Sequence, residues 1–311
     1  MKHTLSIIIP VFNSEKSIKN LCEDLIIVLS SISIDYEIIF INDGSTDNSW
    51  SIINILAKNT SNVIAVDLLK NYGQHSAIFC GIGLAKGDYL ITMDDDGQNP
   101  PSEIRKLYSK IMEGYDVVFA RFTKKQHPLY RRVGTKIVDM LNKKIFEKPI
   151  HIELTNFRIF TKEVADRIIS HKTYKPYIPG LLLLYSTKIA NVETDHNKRI
   201  VGFSNYSFIN IFQLVGRILF NYSIYPLNFI VIAGFAVSLI SFLLGMYYIA
   251  QFIYIGVSVP GWTSVVVLLS FTSSIVMLIL GVLGQYIVRL LQQVSFSTAF
   301  QIRSITNINN E

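Results

Sequence analysis

Charge is missing from a long stretch near the carboxyl end of this 311-residue chain. Between Ile218 and Val288 there is no aspartate, glutamate, lysine, arginine or histidine, a run of 71 residues. Such a run excludes an ordinary water-exposed surface, which charged side chains would populate. A helix needs about 20 mostly apolar residues to cross a bilayer. The run therefore predicts two transmembrane helices, near 226–254 and 262–288, joined by the uncharged turn 256–261.

Cysteine is also scarce, because Cys22 and Cys80 are the only two in the sequence and both lie among apolar residues. Two such residues exclude a disulfide framework and favour buried thiols in a reducing compartment. No signal peptide is expected, since Met1 leads almost directly into a short strand that stops at Pro10. Both features favour a folded amino-terminal domain that stays in the cytoplasm.

Positive charges flank the uncharged run on both sides. Lys198, Arg199 and Arg217 precede it, and Arg289 and Arg303 follow it. Cytoplasmic segments of membrane proteins carry the excess of lysine and arginine. We therefore predict a multi-pass protein of the inner (plasma) membrane, with the amino-terminal domain and both termini in the cytoplasm.

The amino-terminal half alternates short apolar runs with helix-like segments. The predicted strands are Leu5–Ile9, Tyr36–Ile41, Val63–Leu68 and Tyr89–Met93, and the helices between them include Lys16–Leu29, capped by Ser14, and Ser49–Asn59, capped by Asp47. This order predicts an α/β fold with a mostly parallel sheet and helices on both faces. Polar clusters follow each strand, so they meet at one edge of the sheet, where such folds bind ligands.

The strongest chemical signal follows the fourth strand, where Asp94, Asp95 and Asp96 come in direct succession. Three carboxylates repel one another unless a cation lies among them. Two acids one residue apart, Asp94 and Asp96, can hold a hard divalent ion against a diphosphate. A solvated acidic turn is the competing interpretation, and the neighbouring polar clusters favour the metal site.

Three motifs together resemble the family 2 inverting glycosyltransferases with the GT-A fold. They are Pro10-Val11-Phe12-Asn13 with Glu15, then Asn42-Asp43-Gly44-Ser45-Thr46-Asp47, then Asp94-Asp95-Asp96. A sugar nucleotidyltransferase would instead have a glycine-rich loop after the first strand, and 10–15 contains no glycine. The resemblance implies Mg²⁺ or Mn²⁺ at Asp94 and Asp96. It also implies a nucleotide-sugar site formed by Pro10, Val11, Asn13, Glu15, Asp43, Lys70, Gln74, Asp94 and Gln98.

The carboxyl half resembles the branch that glycosylates polyprenyl phosphates, which includes the undecaprenyl-phosphate glucosyltransferases, the aminoarabinose transferase and dolichyl-phosphate mannose synthase. The residues concerned are 198–206, 259–264 and 281–286, with 70–77 and 98–101 typical of bacterial members. Processive synthases carry Gln-x-x-Arg-Trp, and neither Trp50 nor Trp262 lies in such a motif. The resemblance therefore implies the transfer of a single sugar, most simply from a UDP-sugar to undecaprenyl phosphate. It also implies a homo-oligomer such as a tetramer, packed through Gly281 and Gly284.

We divide the chain into a GT-A catalytic domain (1–200), an interfacial helix or linker (201–224), the two transmembrane helices (225–292) and a cytoplasmic tail (293–311). Within the first domain, 129–146 has apolar residues at helical spacing with lysine and arginine between them. This pattern is typical of a helix at a lipid headgroup layer, or of an ordinary basic surface helix. An arginine fork suits phosphate. The candidates for the lipid phosphate are Arg121, Arg131, Arg132, Arg158, Lys198 and Arg199.

The catalytic base is the open point of the sequence. The branch commonly shows Asp-x-Gly-x-Phe-Arg with a second acid before the phenylalanine, whereas this chain has Glu153 and a neutral Asn156. We predict that no strong base is needed, because a lipid phosphate with a second pKa of ~6 arrives ionised. Glu153 is either a base or the partner of a cation. The candidate catalytic residues are Asp94, Asp95, Asp96, Glu153 and Asn156.

Two other functions fit the same residues. The chain could glycosylate a membrane glycolipid directly, with the helices serving only as an anchor. It could also be an inactive partner of another membrane protein, although Asp43 and the Asp94–Asp96 triplet argue against that. The sequence does not identify the sugar.

Overall fold

The computed structural model describes residues 4–32, 34–122, 129–171, 173–195, 197, 261–294 and 299–307, and scattered positions between 214 and 254. The chain forms two units, one of residues 1–211 with 297–311 and one of residues 212–296. We describe each by itself.

The first unit is built on one eight-stranded sheet. Its strands are β1 (Thr4–Val11), β2 (Asp35–Asn42), β3 (Val63–Leu68), β4 (Tyr89–Thr92), β5 (Val117–Phe122), β6 (Arg158–Thr161), β7 (Ile189–Thr194) and β8 (Ile302–Thr306). The helices are α1 (Ile18–Ile32), α2 (Ser49–Asn59), α3 (Gln74–Leu84), α4 (Ile104–Ile111), α5 (Leu129–Ile145), α6 (Lys162–Ser170) and α7 (Ile178–Tyr185). The strand order is β7-β5-β6-β4-β1-β2-β3-β8.

The centre of the sheet is parallel, as predicted. Strand β1 pairs in parallel with β2 and β4, and β2 pairs in parallel with β3, whereas β6 and β8 run antiparallel to their neighbours. Alternate residues of a strand face opposite sides of a sheet. Ile7 and Ile9 lie in a core with helices α1, α2 and α4. Ile8 faces Gly81 of α3, where a Cβ atom would come within 2.4 Å of its side chain. Helices thus cover both faces, so central strands must be apolar throughout.

The strands lie close to their predicted positions, whereas one helix begins later than predicted. Strand β3 has the predicted bounds, and β1 and β2 extend the predicted ones by one or two residues at each end. The prediction that Ser14 caps the first helix is wrong, because α1 begins at Ile18 and the Ser14 hydroxyl donates to Asp95 instead. The apolar run 178–185 is a short buried helix, as expected. Both cysteines are free and buried.

The end of the chain adds a strand that the sequence did not predict. We assigned 293–311 to a tail, yet β8 pairs with the outer edge of β3, with Asp67 opposite Ser304 and a bulge between Asp67 and Leu68. The pairing supplies backbone partners to an otherwise open edge. Residues 299–307 therefore belong to the same folded unit as the amino-terminal domain.

The second unit contains helix α8 (Trp262–Val294), which covers the predicted transmembrane helix 262–288. The predicted helix 226–254 and the linker 201–224 lie mostly outside the described residues. Over the positions that the structure describes, no helix offers an unbroken stretch long and apolar enough to cross a membrane. The transmembrane pair therefore stays a prediction.

Candidate active site

Four polar segments meet at the carboxyl ends of the parallel strands. They follow β1, β2, β3 and β4, and hydrogen bonds join them before any ligand is considered. The backbone N–H of Asp43 donates to the carbonyl of Val11 at 2.9 Å, and Met93 donates to the carbonyl of Ile8 at 3.2 Å. The order of the central strands therefore brings the three sequence motifs to one edge of the sheet.

Asp43 holds the segment after β3 in place. Its side chain is 3% exposed, and its two oxygens accept the N–H groups of Tyr72 (2.7 Å) and Gly73 (2.9 Å). Burial raises the pKa of Asp43 to about 6, although both hydrogen bonds favour the ionised form. Gly44 lies against this segment at φ +69°, and a Cβ atom there would come within 2.5 Å of Asn71 N. Only glycine permits this close contact.

The loop after β1 is tied to the loop after β2. Asn13 has a φ of 56° and accepts the Thr46 N–H at 2.8 Å, and Glu15 accepts the Asn48 N–H at 3.1 Å. These two candidate nucleotide residues thus use their side chains to hold the loops together. Pro10 and Val11 lie within β1. The ammonium of Lys70 lies 5.4 Å from the centre of the Tyr72 ring.

The three consecutive aspartates point to different partners. Asp94 accepts Gln74 Nε2 at 2.6 Å and Asn156 Nδ2 at 3.3 Å, both on Oδ1. Asp95 accepts the Ser14 hydroxyl and the Phe12 N–H, so it fastens this turn to the loop after β1.

Asp96 accepts the Gln98 backbone N–H at 3.1 Å. Gly97 lies between them at φ +74°, a conformation that glycine adopts without strain and that turns the chain back at this point. Over the described residues, no three carboxylate, histidine or cysteine side chains converge to enclose a metal ion. Asp94 and Asp96 are the two acids whose side chains are not used to fasten the loop after β1.

The acids of this turn share one electrostatic environment. Burial, together with repulsion from Asp96 and Asp95, raises the pKa of Asp94 to about 6, against the hydrogen bonds from Asn156 and Gln74. Burial also raises the pKa of Asp95 to about 6. A nearby cation would relieve this repulsion. The donor set of carboxylate oxygens suits a hard divalent ion.

Arg158 is fully buried behind the acidic turn. Its Nε donates to Thr92 Oγ1 at 3.0 Å and its Nη1 to the Thr155 carbonyl at 3.3 Å, and Nη2 has no hydrogen-bond partner among the described residues. Burial lowers its pKa to about 10, and attraction to Asp94 opposes that shift. Sequence reasoning placed Arg158 at the lipid phosphate. In this conformation it supports Asp94 from the interior instead.

Glu153 and Arg121 form an ion pair. Arg121 Nε lies 3.2 Å from Glu153 Oε1, with both side chains partly exposed. The Glu153 backbone is fixed on both sides by Asn191, which accepts its N–H at 2.8 Å and donates to its carbonyl at 2.9 Å. A candidate base and a candidate phosphate ligand are therefore partners of each other at the rim of the site.

The remaining candidates contribute less to the described geometry. Arg131 and Arg132 lie on α5, and the structure does not describe their side chains. Lys198 and Arg199 lie outside the described residues. The Gln98 carbonyl accepts the Asn197 N–H at 3.0 Å, which connects the acidic turn to the segment after β7.

Sequence reasoning missed two polar groups that organise the site. Asp67 is the last residue but one of β3, and its 3% exposed side chain accepts Asn42 Nδ2 at 2.7 Å. Thr92 ends β4, accepting from Arg158 and donating to the Asn156 carbonyl at 2.7 Å. Both are polar residues inside otherwise apolar strands, and that contrast was the available signal.

The sheet, with its acidic turn at the carboxyl end of β4, defines an α/β enzyme of the GT-A class. The chain belongs to Glycosyl transferase family 2, whose pattern matches residues 6–170, more than half of its length. It is a glycosyltransferase by family.

Relatives in several bacteria match nearly the whole chain. One is undecaprenyl-phosphate 4-deoxy-4-formamido-L-arabinose transferase of Proteus mirabilis, 30% identical over 98% of this chain and 94% of the relative. The protein of the same name from Pectobacterium carotovorum is 31% identical over 92% of this chain and 88% of the relative. Among solved structures, glucosyl-3-phosphoglycerate synthase from Mycobacterium tuberculosis, in complex with Mn²⁺, UDP and phosphoglyceric acid, matches with a TM-score of 0.50. The identity is 18% over 70% of this chain and 76% of that one, so this likeness concerns the fold.

Proposed function

We propose that this protein transfers one sugar, with inversion, from a nucleotide-sugar to undecaprenyl phosphate or a similar polyprenyl phosphate. The donor is a UDP-sugar, the reaction needs Mg²⁺ or Mn²⁺, and the product serves cell-envelope glycan modification. The match to undecaprenyl-phosphate transferases extends over 98% of the chain. It therefore includes the carboxyl half, which the acceptor lipid would require, as well as the catalytic domain.

The observation that carries the proposal is the acidic turn at the carboxyl end of β4. Asp94 is held by Gln74 and Asn156, and Asp95 is turned away toward the loop after β1. Asp94 and Asp96 lie one residue apart in this turn, and adjacent residues join the turn to the loop after β2, because Gly73 donates to Asp43 and Gln74 donates to Asp94. Such an arrangement suits a diphosphate bound beside a nucleoside.

On the donor side, the backbone around Asp43 forms the nucleotide pocket. The carboxylate fixes Tyr72 and Gly73, and the close contact of Gly44 with Asn71 sets the distance between the two loops. An ionised Asp43 can also accept a hydrogen bond from an N–H of the nucleobase of the donor. Asn13 and Glu15 act through the loops that they hold in position.

Asp94 and Asp96 would hold the divalent ion, and their oxygen donors fit it. A bound Mg²⁺ or Mn²⁺ would supply stabilisation of the charge on the departing nucleoside diphosphate. Asp94 Oδ1 already accepts two hydrogen bonds, and Oδ2 accepts none from the residues that the structure describes, so Oδ2 can turn to a ligand. Buried Arg158 is attracted to this carboxylate, and that attraction opposes the lowering of the arginine's own pKa by burial.

On the acceptor side, the chemistry needs cations more than it needs a base. A lipid phosphate with a second pKa of ~6 is mostly a dianion at neutral pH. Arg121 at the rim is partly exposed and can exchange its pairing with Glu153 for a phosphate oxygen. Arg131, Arg132, Lys198 and Arg199 are the further candidates. Glu153 would then release Arg121 to the phosphate and would not act as a base.

The acceptor also calls for membrane attachment, and chain connectivity constrains it. Strand β8 lies in the same sheet as β1–β7. The chain segments before and after residues 212–296 must therefore be on the same side of the membrane. Any crossings of the inner membrane by 226–254 and 262–288 must therefore be even in number, which suits a hairpin with a cytoplasmic catalytic domain.

Cysteine labelling tests this topology. Ser258→Cys should be labelled from outside intact cells, and Ser304→Cys only after permeabilisation. Labelling of both from one side would contradict the hairpin.

Self-association is part of the proposal. Gly281 and Gly284 lie on α8 with open space at the position of a Cβ atom, over the described residues. Small residues allow close helix approach in membranes. Native mass spectrometry in detergent should give a homo-oligomer, which Gly284→Leu should weaken.

The direct test uses the purified full-length protein. Undecaprenyl phosphate, Mg²⁺ or Mn²⁺ and a panel of UDP-, GDP- and dTDP-sugars are supplied, and the lipid product is weighed by mass spectrometry. A lipid-linked monophosphate sugar that disappears with EDTA is expected. Transfer to a glycolipid but not to the lipid phosphate would favour the direct glycolipid transferase. No transfer and no metal-dependent nucleotide binding would refute an enzymatic role.

A further inference from the structure

The last strand of the chain contacts the nucleotide side of the sheet through one arginine. Arg303 of β8 donates from Nη1 to Asp67 Oδ2 at 3.1 Å and from Nη2 to the Leu69 carbonyl at 2.7 Å. Asp67 is 3% exposed, so this ion pair is buried on the acid's side and open on the arginine's side. A planar guanidinium can make both contacts at once, whereas an ammonium cannot reproduce that geometry.

The partners of Arg303 are connected to Asp43 by two routes. The other oxygen of Asp67 accepts Asn42 Nδ2 at 2.7 Å, and Asn42 immediately precedes Asp43. Leu69, whose carbonyl Arg303 holds and whose N–H donates to Gln301 O at 2.9 Å, begins the segment that supplies Tyr72 and Gly73 to Asp43. One side chain thus fixes the loop after β2 and the loop after β3.

The opposite end of β8 is anchored independently. Thr306 Oγ1 donates to Asn54 Oδ1 at 2.8 Å, and Asn307 Nδ2 donates to the carbonyls of Thr60, Ser61 and Val63. Asn54 lies on α2, and the other three partners lie at the amino end of β3, away from Asp43. The strand therefore has one attachment at the site and another remote from it, which can be separated by mutation.

We propose that Arg303 is a positioning residue for nucleotide-sugar binding. It touches no substrate. It holds Asp67 and the Leu69 carbonyl so that the Asn42–Gly44 and Lys70–Gly73 loops keep the spacing that the nucleotide requires. The segment that follows α8 thereby becomes part of the donor site. This inference rests on the proposed function for the nature of the ligand, and on the described contacts for the role of the residue.

The experiment compares Arg303→Met, Arg303→Lys and Thr306→Val in the full-length protein. UDP with Mn²⁺ is the binding probe, measured by calorimetry, and hydrogen exchange is followed in the peptide covering 69–74. Arg303→Met should weaken UDP binding about 10-fold, as expected for loss of a charge-assisted contact to a buried acid. Exchange in 69–74 should accelerate. Arg303→Lys should restore part of both, and Thr306→Val should change neither by more than about 2-fold.

Steady-state kinetics distinguish a positioning role of Arg303 from a general loss of enzyme structure. With Arg303→Met the KM for the donor should rise while the KM for undecaprenyl phosphate stays within about 2-fold, because the contacts reach only the nucleotide loops. Unchanged exchange and unchanged UDP affinity in Arg303→Met would overturn the proposal. So would equal losses in Thr306→Val, which would assign the effect to the strand as a whole. If the wild type does not bind UDP, the proposed donor is wrong, and exchange at 69–74 still decides the role of Arg303.

Discussion

Asp94 takes two hydrogen bonds of unequal length, and their difference makes a quantitative prediction. Gln74 Nε2 lies 2.6 Å from Oδ1 and Asn156 Nδ2 lies 3.3 Å from it. Gln74→Met and Asn156→Leu each remove one donor and keep most of the side-chain volume. Gln74 is exposed at the start of α3, so its replacement should leave folding intact.

The magnitudes follow from the geometry. A short hydrogen bond to a charged group contributes about 1.5–3 kcal/mol, which is roughly 10- to 150-fold in a rate or binding constant. A long one resembles a neutral bond of about 0.5–1.5 kcal/mol, or roughly 2- to 10-fold. Losing a group that orients a metal ligand typically costs about 10- to 100-fold. We therefore expect Gln74→Met to lower kcat/KM for the donor more than Asn156→Leu does.

The assay is sugar transfer at saturating acceptor, repeated over a Mn²⁺ titration. Gln74→Met should also raise the Mn²⁺ concentration that gives half-maximal rate. Lys110→Met, which removes a surface ion pair on α4, is the control and should match the wild type. A larger loss in Asn156→Leu than in Gln74→Met would refute the reasoning, since Asn156 would then act on substrate rather than through Asp94.

Three further predictions test the rest of the site. Asp96→Asn should lower transfer by orders of magnitude with an unchanged melting temperature, and full wild-type activity in excess EDTA would contradict a metal role. Glu153→Gln should keep substantial turnover, with rates in both proteins rising through the lipid phosphate's pKa of ~6; a collapse of kcat in this variant alone would identify Glu153 as the base. Because burial raises the pKa of Asp43 to about 6, uridine affinity, followed by saturation-transfer NMR, should fall as the pH drops below that value and the carboxylate takes up a proton. An affinity independent of pH between 5 and 7.5 would count against an ionised Asp43 in the pocket.

The parallel sheet was predictable because its strands are short apolar runs with turn residues between them. Val63–Leu68 has the predicted bounds, since both faces of the strand are buried and its run is apolar except for Asp67. The meeting of Asp43 and the Asp94–Asp96 turn at one edge followed from the same topology. These inferences need only local pattern and the rule that parallel strands end at one side.

The orientations of individual side chains were not predictable. Ser14 was predicted to cap a helix and instead binds Asp95, and Arg158 was a candidate for the lipid phosphate and is fully buried. In each case a partner distant in sequence outcompetes the local role. Strand β8 escaped prediction for the same reason, because Ile302–Thr306 is short and its partner β3 lies more than 230 residues earlier.

The place of β8 in the sheet also sets the order in which the enzyme can be completed during synthesis. Residues 1–211 leave the ribosome first, yet β3 then has an unpaired outer edge, and an open strand edge readily pairs with other chains. That edge closes only after residues 212–296 have been made and the chain has returned to the sheet. A chain that stops short of Ile302 would contain all the strands from β1 to β7 and would still leave the outer edge of β3 unpaired.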